Sequence, residues 1–130
     1  MITVEGQSPA FSGAVTAGSL VFTSGLVAPS ALAGNALGFA CQAREVLDQL
    51  GALLARAGSD LVHVLRVEAF LTDASYLPRW NEVFAQVWTD HRPARTTVLA
   101  ALALPTALIE VQAVAATIDG DQDAVTRPAW

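Results

Sequence analysis

The sequence predicts an α+β domain, a mixed β-sheet with two helices on one face, in the order β-β-α-β-α-β-β. Three observations carry this reading. Apolar residues recur at helical spacing in two stretches, 39–57 and 77–88. Five other stretches read as strands bounded by turn residues. Those strands are apolar on both faces although two helices cover only one, so the other face is expected to meet further subunits.

The elements follow in order. "GAVTAGSLVFTSGLVA" (13–28) reads as a hairpin turning at Ala17-Gly18-Ser19, with its second run ending near Ser24-Gly25. Gly25 there predicts a bulge or a close backbone approach. "PSALAGNALG" (29–38) reads as a loop. From Phe39 to Ala57, Phe39, Ala43, Val46, Leu47, Leu50, Leu53, Leu54 and Ala57 form one helical stripe. Polar residues, Gln42 and Arg44 among them, mostly take the opposite face, and Gly58 ends the helix. "LVHVLRVEAFLT" (61–72) alternates as a strand, with His63, Leu65, Val67, Ala69 and Leu71 on one face and Val62, Val64, Arg66, Glu68 and Phe70 on the other.

Asp73 and Ser75 offer caps for the second helix, whose Leu77, Trp80, Val83, Phe84, Val87 and Trp88 make a packing stripe. The turn "DHRP", a strand "RTTVLAALAL" (95–104), a break at Pro105-Thr106 and a last strand "LIEVQAVAATI" (108–118) complete the domain. Residues 1–130 read as one domain, with 119–130 a polar, loose tail.

Composition narrows function. The chain is 53% apolar and 15% charged, yet every apolar run is broken before the roughly 18–20 residues of a membrane span, so no membrane partner is expected. The opening "MITVEGQSPAF" lacks a basic stretch and does not read as a signal peptide; a cytoplasmic location is expected. Seven arginines, no lysine and twelve acids give a net charge of −5, which argues against nucleic acid as a partner. Without lysine there is no side-chain Schiff base. Cys41 stands alone and is expected to be a buried thiol. His63 and His91 lack metal-ligand spacing and read as a sheet and a turn residue, so no metal is expected. No nucleophile elbow or Ser–His–acid arrangement is present.

Chemistry points to two residues. Arg95 opens an apolar strand in "RPARTTVLAALALP", and Glu110 lies within "LIEVQAV", sharing a face with Gln112 and Val114. They are compatible with a structural salt bridge or with edge charges that discourage aggregation. They are equally compatible with an anion site: a guanidinium grips a carboxylate bidentately, and a nearby carboxyl moves protons at the adjoining carbon.

The stretches "VFTSG", "AREVLDQLGALLARAGSDLVHVLRVEAFLTD", "WNEVFAQVW", "HRPARTTV" and "IEVQAVA" together resemble the RidA family of reactive-intermediate deaminases, also called the YjgF family, from about Pro9 to Ile118. "PART" followed by "EVQAVA", with Arg95 and Glu110 fifteen positions apart, is the most specific part of the match. The resemblance implies a chorismate-mutase-like subunit in a homotrimer, its sheets forming a central barrel. It implies clefts between subunits where Arg95 binds the carboxylate of a 2-imino or 2-enamino acid and Glu110 activates the water that hydrolyses it. The products are a 2-oxo acid and ammonia, with no metal and no organic cofactor. It further implies that Ser24, Gly25, Asn81 and Thr97 lie near the ligand, Thr97 through its backbone N–H.

Three departures stand out: Phe11 replaces the family's common tyrosine, and Gly13 and Leu26 replace glutamines. They imply a drier pocket in which Phe11 forms an apolar wall. The departures also motivate a specialised relative acting on a larger carboxylate. The resemblance further leaves room for a non-catalytic ligand-binding or chaperone-like trimer, or for a ribonuclease, which the acidic balance disfavours.

Overall fold

The structure, a computed structural model, describes residues 2–120. Glycines at positive φ mark two of the places where the chain turns or an element ends. Gly18, at φ 60°, turns strand β2 (Ala14–Ala17) into β3 (Leu20–Thr23), the expected hairpin. Gly58, at φ 80°, stops the long helix α2 (Phe39–Arg56). Between them lie β4 (Leu26–Val27) and a one-turn helix α1 (Pro29–Leu32), where a loop was expected; Pro29 at its first position favours that turn. A further strand, β1 (Ile2–Glu5), pairs antiparallel with β2 and was not foreseen.

Strand β5 (Val64–Leu71) is shorter than the apolar run that contains it. Asp60 accepts a hydrogen bond of 3.0 Å from the His63 backbone N–H and winds residues 61–63 into a 3₁₀ turn, so His63 is a turn residue and not a sheet residue. A register shift between Val64 and Arg66 then places Val64 beside Val67 on the core face, against simple alternation. Asp73 caps the next 3₁₀ turn (Ala74–Tyr76), which runs into α3 (Leu77–Val87). Strand β6 (Ala94–Leu99) ends five residues before the apolar run does, and β7 (Ile109–Ala116) closes the sheet.

The seven-stranded sheet has the order β1-β2-β3-β7-β5-β6, with β4 extending the β3 side of β7. β5 and β6 are parallel, joined through α3, and the other pairings are antiparallel, so the sheet is mixed as expected. Helices α2 and α3 cover one face. Val46, Leu47, Leu50 and Leu54 of α2 and Trp80 and Val83 of α3 are buried against Val67, Leu71, Ile109 and Val111. Each such side chain contributes about 1.5–3 kcal/mol by leaving water. Trp80 meets Phe84 edge-on at 5.6 Å and Phe84 tilts against Trp88 at 4.6 Å, the packing stripe foreseen for α3.

Two expectations on α2 fail. Cys41 is exposed, because it falls between Phe39 and Ala43 and off the face they share, and Gln42 is fully buried. Gln42 holds the 104–108 loop: its Nε2 donates to the Leu37 and Thr106 carbonyls at 2.8 and 3.2 Å, and its Oε1 accepts from the Leu108 N–H at 2.9 Å. A buried amide is tolerated because its polar atoms are engaged.

The opposite face of the sheet carries Phe22, Phe70, Val98 and Val114 around a Glu68–Gln112 pair bonded at 3.2 Å, and no described helix covers it. The chain is still tied at Ile118, whose N–H donates to Gly58 O at 2.9 Å, and at Gly120, whose N–H donates to Thr117 Oγ1 at 3.0 Å. The part of the expected tail at 121–130 lies outside the described residues. No helix among the described residues is long and apolar enough to cross a membrane.

Candidate active site

Register decides where the two charged residues point. Arg95 pairs with Val67, which faces the helices, and Glu110 pairs with Phe70, which faces the open side. Val67 in turn opposes Ala113, so β5 separates the two residues and they are offset by three positions along the strands. Strand spacing and rise put their Cα atoms about 14 Å apart, on opposite faces. They do not form the salt bridge that the sequence left possible.

Arg95 sits on β6, the sheet's edge strand, above α3. Its guanidinium lies over the Phe84 ring, 4.9 Å from the centroid, and Nη2 donates to Asn81 Oδ1 at 2.8 Å. Helical spacing places Asn81 and Phe84 on the α3 face turned to β6, so the asparagine singled out in the sequence does meet the arginine. Partial burial lowers the pKa of this guanidinium from its ordinary value, and an arginine remains a cation at physiological pH all the same. One hydrogen bond to Asn81 leaves most of the fork's five donors available. Thr97, two residues on, faces the same way, and its Oγ1 accepts from Trp80 Nε1 at 3.3 Å. Arg95 and Thr97 line an open cleft of about 400 Å³ with Leu71, Ala74, Leu77, Val98 and Leu99.

Glu110 belongs to a second cleft, of about 370 Å³, with Phe11, Ser24, Gly25, Val27, Ala103 and Leu104. Gly25 falls in the irregular link between β3 and β4. A Cβ there would lie 2.9 Å from Glu110 Cδ and 3.2 Å from Cγ, so the glutamate side chain occupies the space a side chain at 25 would need. Ser24 Oγ donates to the Ser12 carbonyl at 2.5 Å and Ser24 N–H to Gly13 O at 2.8 Å, fastening the 6–13 loop to the cleft. Phe11 is 61% exposed at the cleft's rim.

The seven residues singled out in the sequence therefore form two groups. Arg95, Asn81 and Thr97 stand together beside α3; Glu110, Ser24, Gly25 and Phe11 stand together at the β4–β7 junction. Of the three departures, Phe11 lines the Glu110 cleft. Leu26 is buried in the core opposite Val111, and Gly13 is a close backbone crossing, where a Cβ would meet Glu5 O at 3.0 Å. The sequence reading missed Phe84 as the shelf under Arg95; its position three residues after Asn81 was the available signal. It also missed Ala103 and Leu104 as cleft walls, because the run 100–104 read as strand. Among the described residues, no group of three or more His, Cys, Asp or Glu side chains is placed to hold a metal ion.

The chain resembles known proteins over most of its length. The family model described as Endoribonuclease L-PSP matches residues 5–117. The chain is 40% identical over 76 residues to the 3-aminoacrylate deaminase RutC of Acinetobacter baylyi, covering 58% of this chain and 60% of that protein. It is 28% identical over 107 residues to the human 2-iminobutanoate/2-iminopropanoate deaminase, covering 81% and 78%. The crystal structure of NMB1025, a YjgF-family protein of Neisseria meningitidis, superposes with a TM-score of 0.80 at 35% identity, covering 90% of this chain and 95% of that one.

Proposed function

The chain belongs to the endoribonuclease L-PSP family, the YjgF/RidA proteins, and from that premise we propose that it is a hydrolytic deaminase of 2-imino and 2-enamino acids, giving 2-oxo acids and ammonia. Both deaminases named above carry, in their names, small acids with nitrogen at an unsaturated carbon. The observation that carries the reading is the division of the site. A cation with free donors and an open carboxylate each line a half-cleft, on opposite faces of one sheet.

In the proposed assembly, a homotrimer packs the open sheet faces inward, and the Arg95 cleft of one subunit abuts the Glu110 cleft of the next. The apolar Phe22, Phe70 and Val114 are then buried, which accounts for a sheet apolar on both sides. Arg95, held flat by Phe84 and steered by Asn81, takes the substrate carboxylate bidentately. Glu110, with Gly25 beneath it, holds a water against C2 of the imine. As the water oxygen bonds to C2, Glu110 accepts its proton and the C=N electron pair moves to nitrogen. Glu110 returns that proton to nitrogen, giving a carbinolamine; it then takes the hydroxyl proton and passes it to the amine as the C–N bond breaks, so that ammonia leaves and the carbonyl forms. An enamine enters the same route after protonation at C3. General acid–base placement of this kind contributes about 10²–10⁴-fold over the already measurable reaction in water.

The test uses an imino acid generated in situ by an amino-acid oxidase in the presence of semicarbazide. The protein is expected to slow semicarbazone formation by removing the imine. Absence of that effect, or full activity in Arg95→Ala, would overturn the proposal.

A further inference from the structure

Polar side chains are scarce in both clefts, and their number limits the substrate. The Glu110 cleft has Ser24 and Glu110, and the Arg95 cleft has Arg95 and Thr97. Ser24 already donates to Ser12 O, and Thr97 Oγ1 already accepts from Trp80. One cation is left for one carboxylate and one acid for the water. Among the described residues, neither cleft has a second charge for a charged substrate side chain.

The remaining walls are large and apolar, and they face solvent. Phe11 is 61% exposed, Leu99 57%, Val98 42% and Leu77 40%. Phe11 is nonetheless held: Ser8 Oγ accepts from its N–H at 3.1 Å and donates to its carbonyl at 2.9 Å, and Ser8 N–H donates to the same carbonyl at 2.8 Å. A backbone pinned at this turn keeps the ring at the cleft rim without the entropy of ordering a free loop. Leu104 stands in the same cleft, on the loop that Gln42 holds through Thr106 and Leu108.

Resting on the deaminase reading, we propose that the substrate is a 2-imino acid with a single carboxylate and a bulky apolar side chain, branched or aromatic, and that Phe11 and Leu104 are the specificity-determining residues that receive it. A polar side chain placed there would leave water with nothing to bond to, whereas an apolar one buries its own surface and that of the walls. The competing chemistry is a dicarboxylic imino acid. Arg92 lines a third groove with Asn81, Phe84, Ala85 and Arg95, and a second anion reaching past Arg95 would meet it there.

Imino acids are generated from alanine, leucine, phenylalanine and glutamate, each by a matched amino-acid oxidase, and kcat/KM is measured for the full chain from suppression of semicarbazone formation. The leucine- and phenylalanine-derived imines are expected to exceed the alanine-derived one by about tenfold or more, the range that buried methylenes supply. Phe11→Ser and Leu104→Ser are expected to bring that ratio toward one, while Phe11→Tyr retains most of it. Activity on all four imines with no preference for the apolar pair overturns the inference and leaves the deaminase reading standing. A preference for the glutamate-derived imine, lost in Arg92→Ala, also overturns it. No acceleration of any imine overturns both.

Discussion

Glu110 lies across Gly25 so closely that a methyl group on residue 25 would fall 2.9 Å from the carboxylate carbon. The obstructed atoms belong to the free end of a side chain, so Gly25→Ala has an inexpensive escape in which the fold stays and the carboxylate moves. Thermal stability is expected to change little while kcat falls by about 10²-fold, the effect of misplacing a reacting group by roughly 1 Å. Scanning calorimetry and imine kinetics on the same preparation check both halves.

Arg95→Lys retains the charge and loses the planar fork, the stacking over Phe84 and the bond to Asn81. The expected result is a rise in KM exceeding the fall in kcat. Asn81→Asp places a second carboxylate on the same guanidinium, so it should raise KM as well, by competing with the substrate. Steady-state kinetics at fixed ionic strength separates these outcomes.

Gln42→Ala removes three hydrogen bonds to backbone groups of residues 37, 106 and 108. Leaving such buried groups unsatisfied costs about 1–3 kcal/mol each when water does not reach them. Urea denaturation should show a loss of about 2–4 kcal/mol, far more than a surface glutamine would give.

Phe22→Glu puts a charge at the middle of the open sheet face, opposite Val114. Sedimentation is expected to show dissociation to monomers, and imine hydrolysis should fall with it. A variant that stays assembled and active would remove the proposed packing of that face.

Asp73 has a pKa below its ordinary value because the Ser75 hydroxyl, and then the Ser75 backbone N–H at 2.8 Å, bond to its ionised form. A depressed carboxylate pKa adds stability that is present above the unfolded-state pKa and is lost as pH falls through the folded one. The contribution should therefore begin to decline near pH 4 and go on falling as the medium becomes more acidic, and Asp73→Ala should flatten that part of the stability profile. Denaturation midpoints between pH 3 and 6 test this.

What the sequence made legible was whatever depends on periodicity. The α2 and α3 stripes and the β2–β3 hairpin follow from local spacing, and the structure has them where expected. Strand ends were less visible: 61–63 look like strand until Asp60 folds back on His63, and 100–104 look like strand until Gln42 draws the 104–108 loop to the helix. Gln42 was itself misplaced because a polar residue one step off the stripe reads as surface until its partners, 64 and 66 residues away, are known. For the site, the resemblance gathered Arg95, Asn81, Gly25 and Glu110 around one ligand, and only the structure sorts them into Arg95 with Asn81 and Gly25 with Glu110. The sequence could not show that these pairs face opposite ways, since that depends on which strand lies between β6 and β7.

That opposition has a genetic corollary. If each working centre takes its cation from one polypeptide and its carboxylate from the next, two dead alleles, Arg95→Ala and Glu110→Gln, should rescue one another when co-expressed. Every mixed ring would contain a single junction where an intact Arg95 meets an intact Glu110, so activity would return in extracts of cells carrying both and in neither parent.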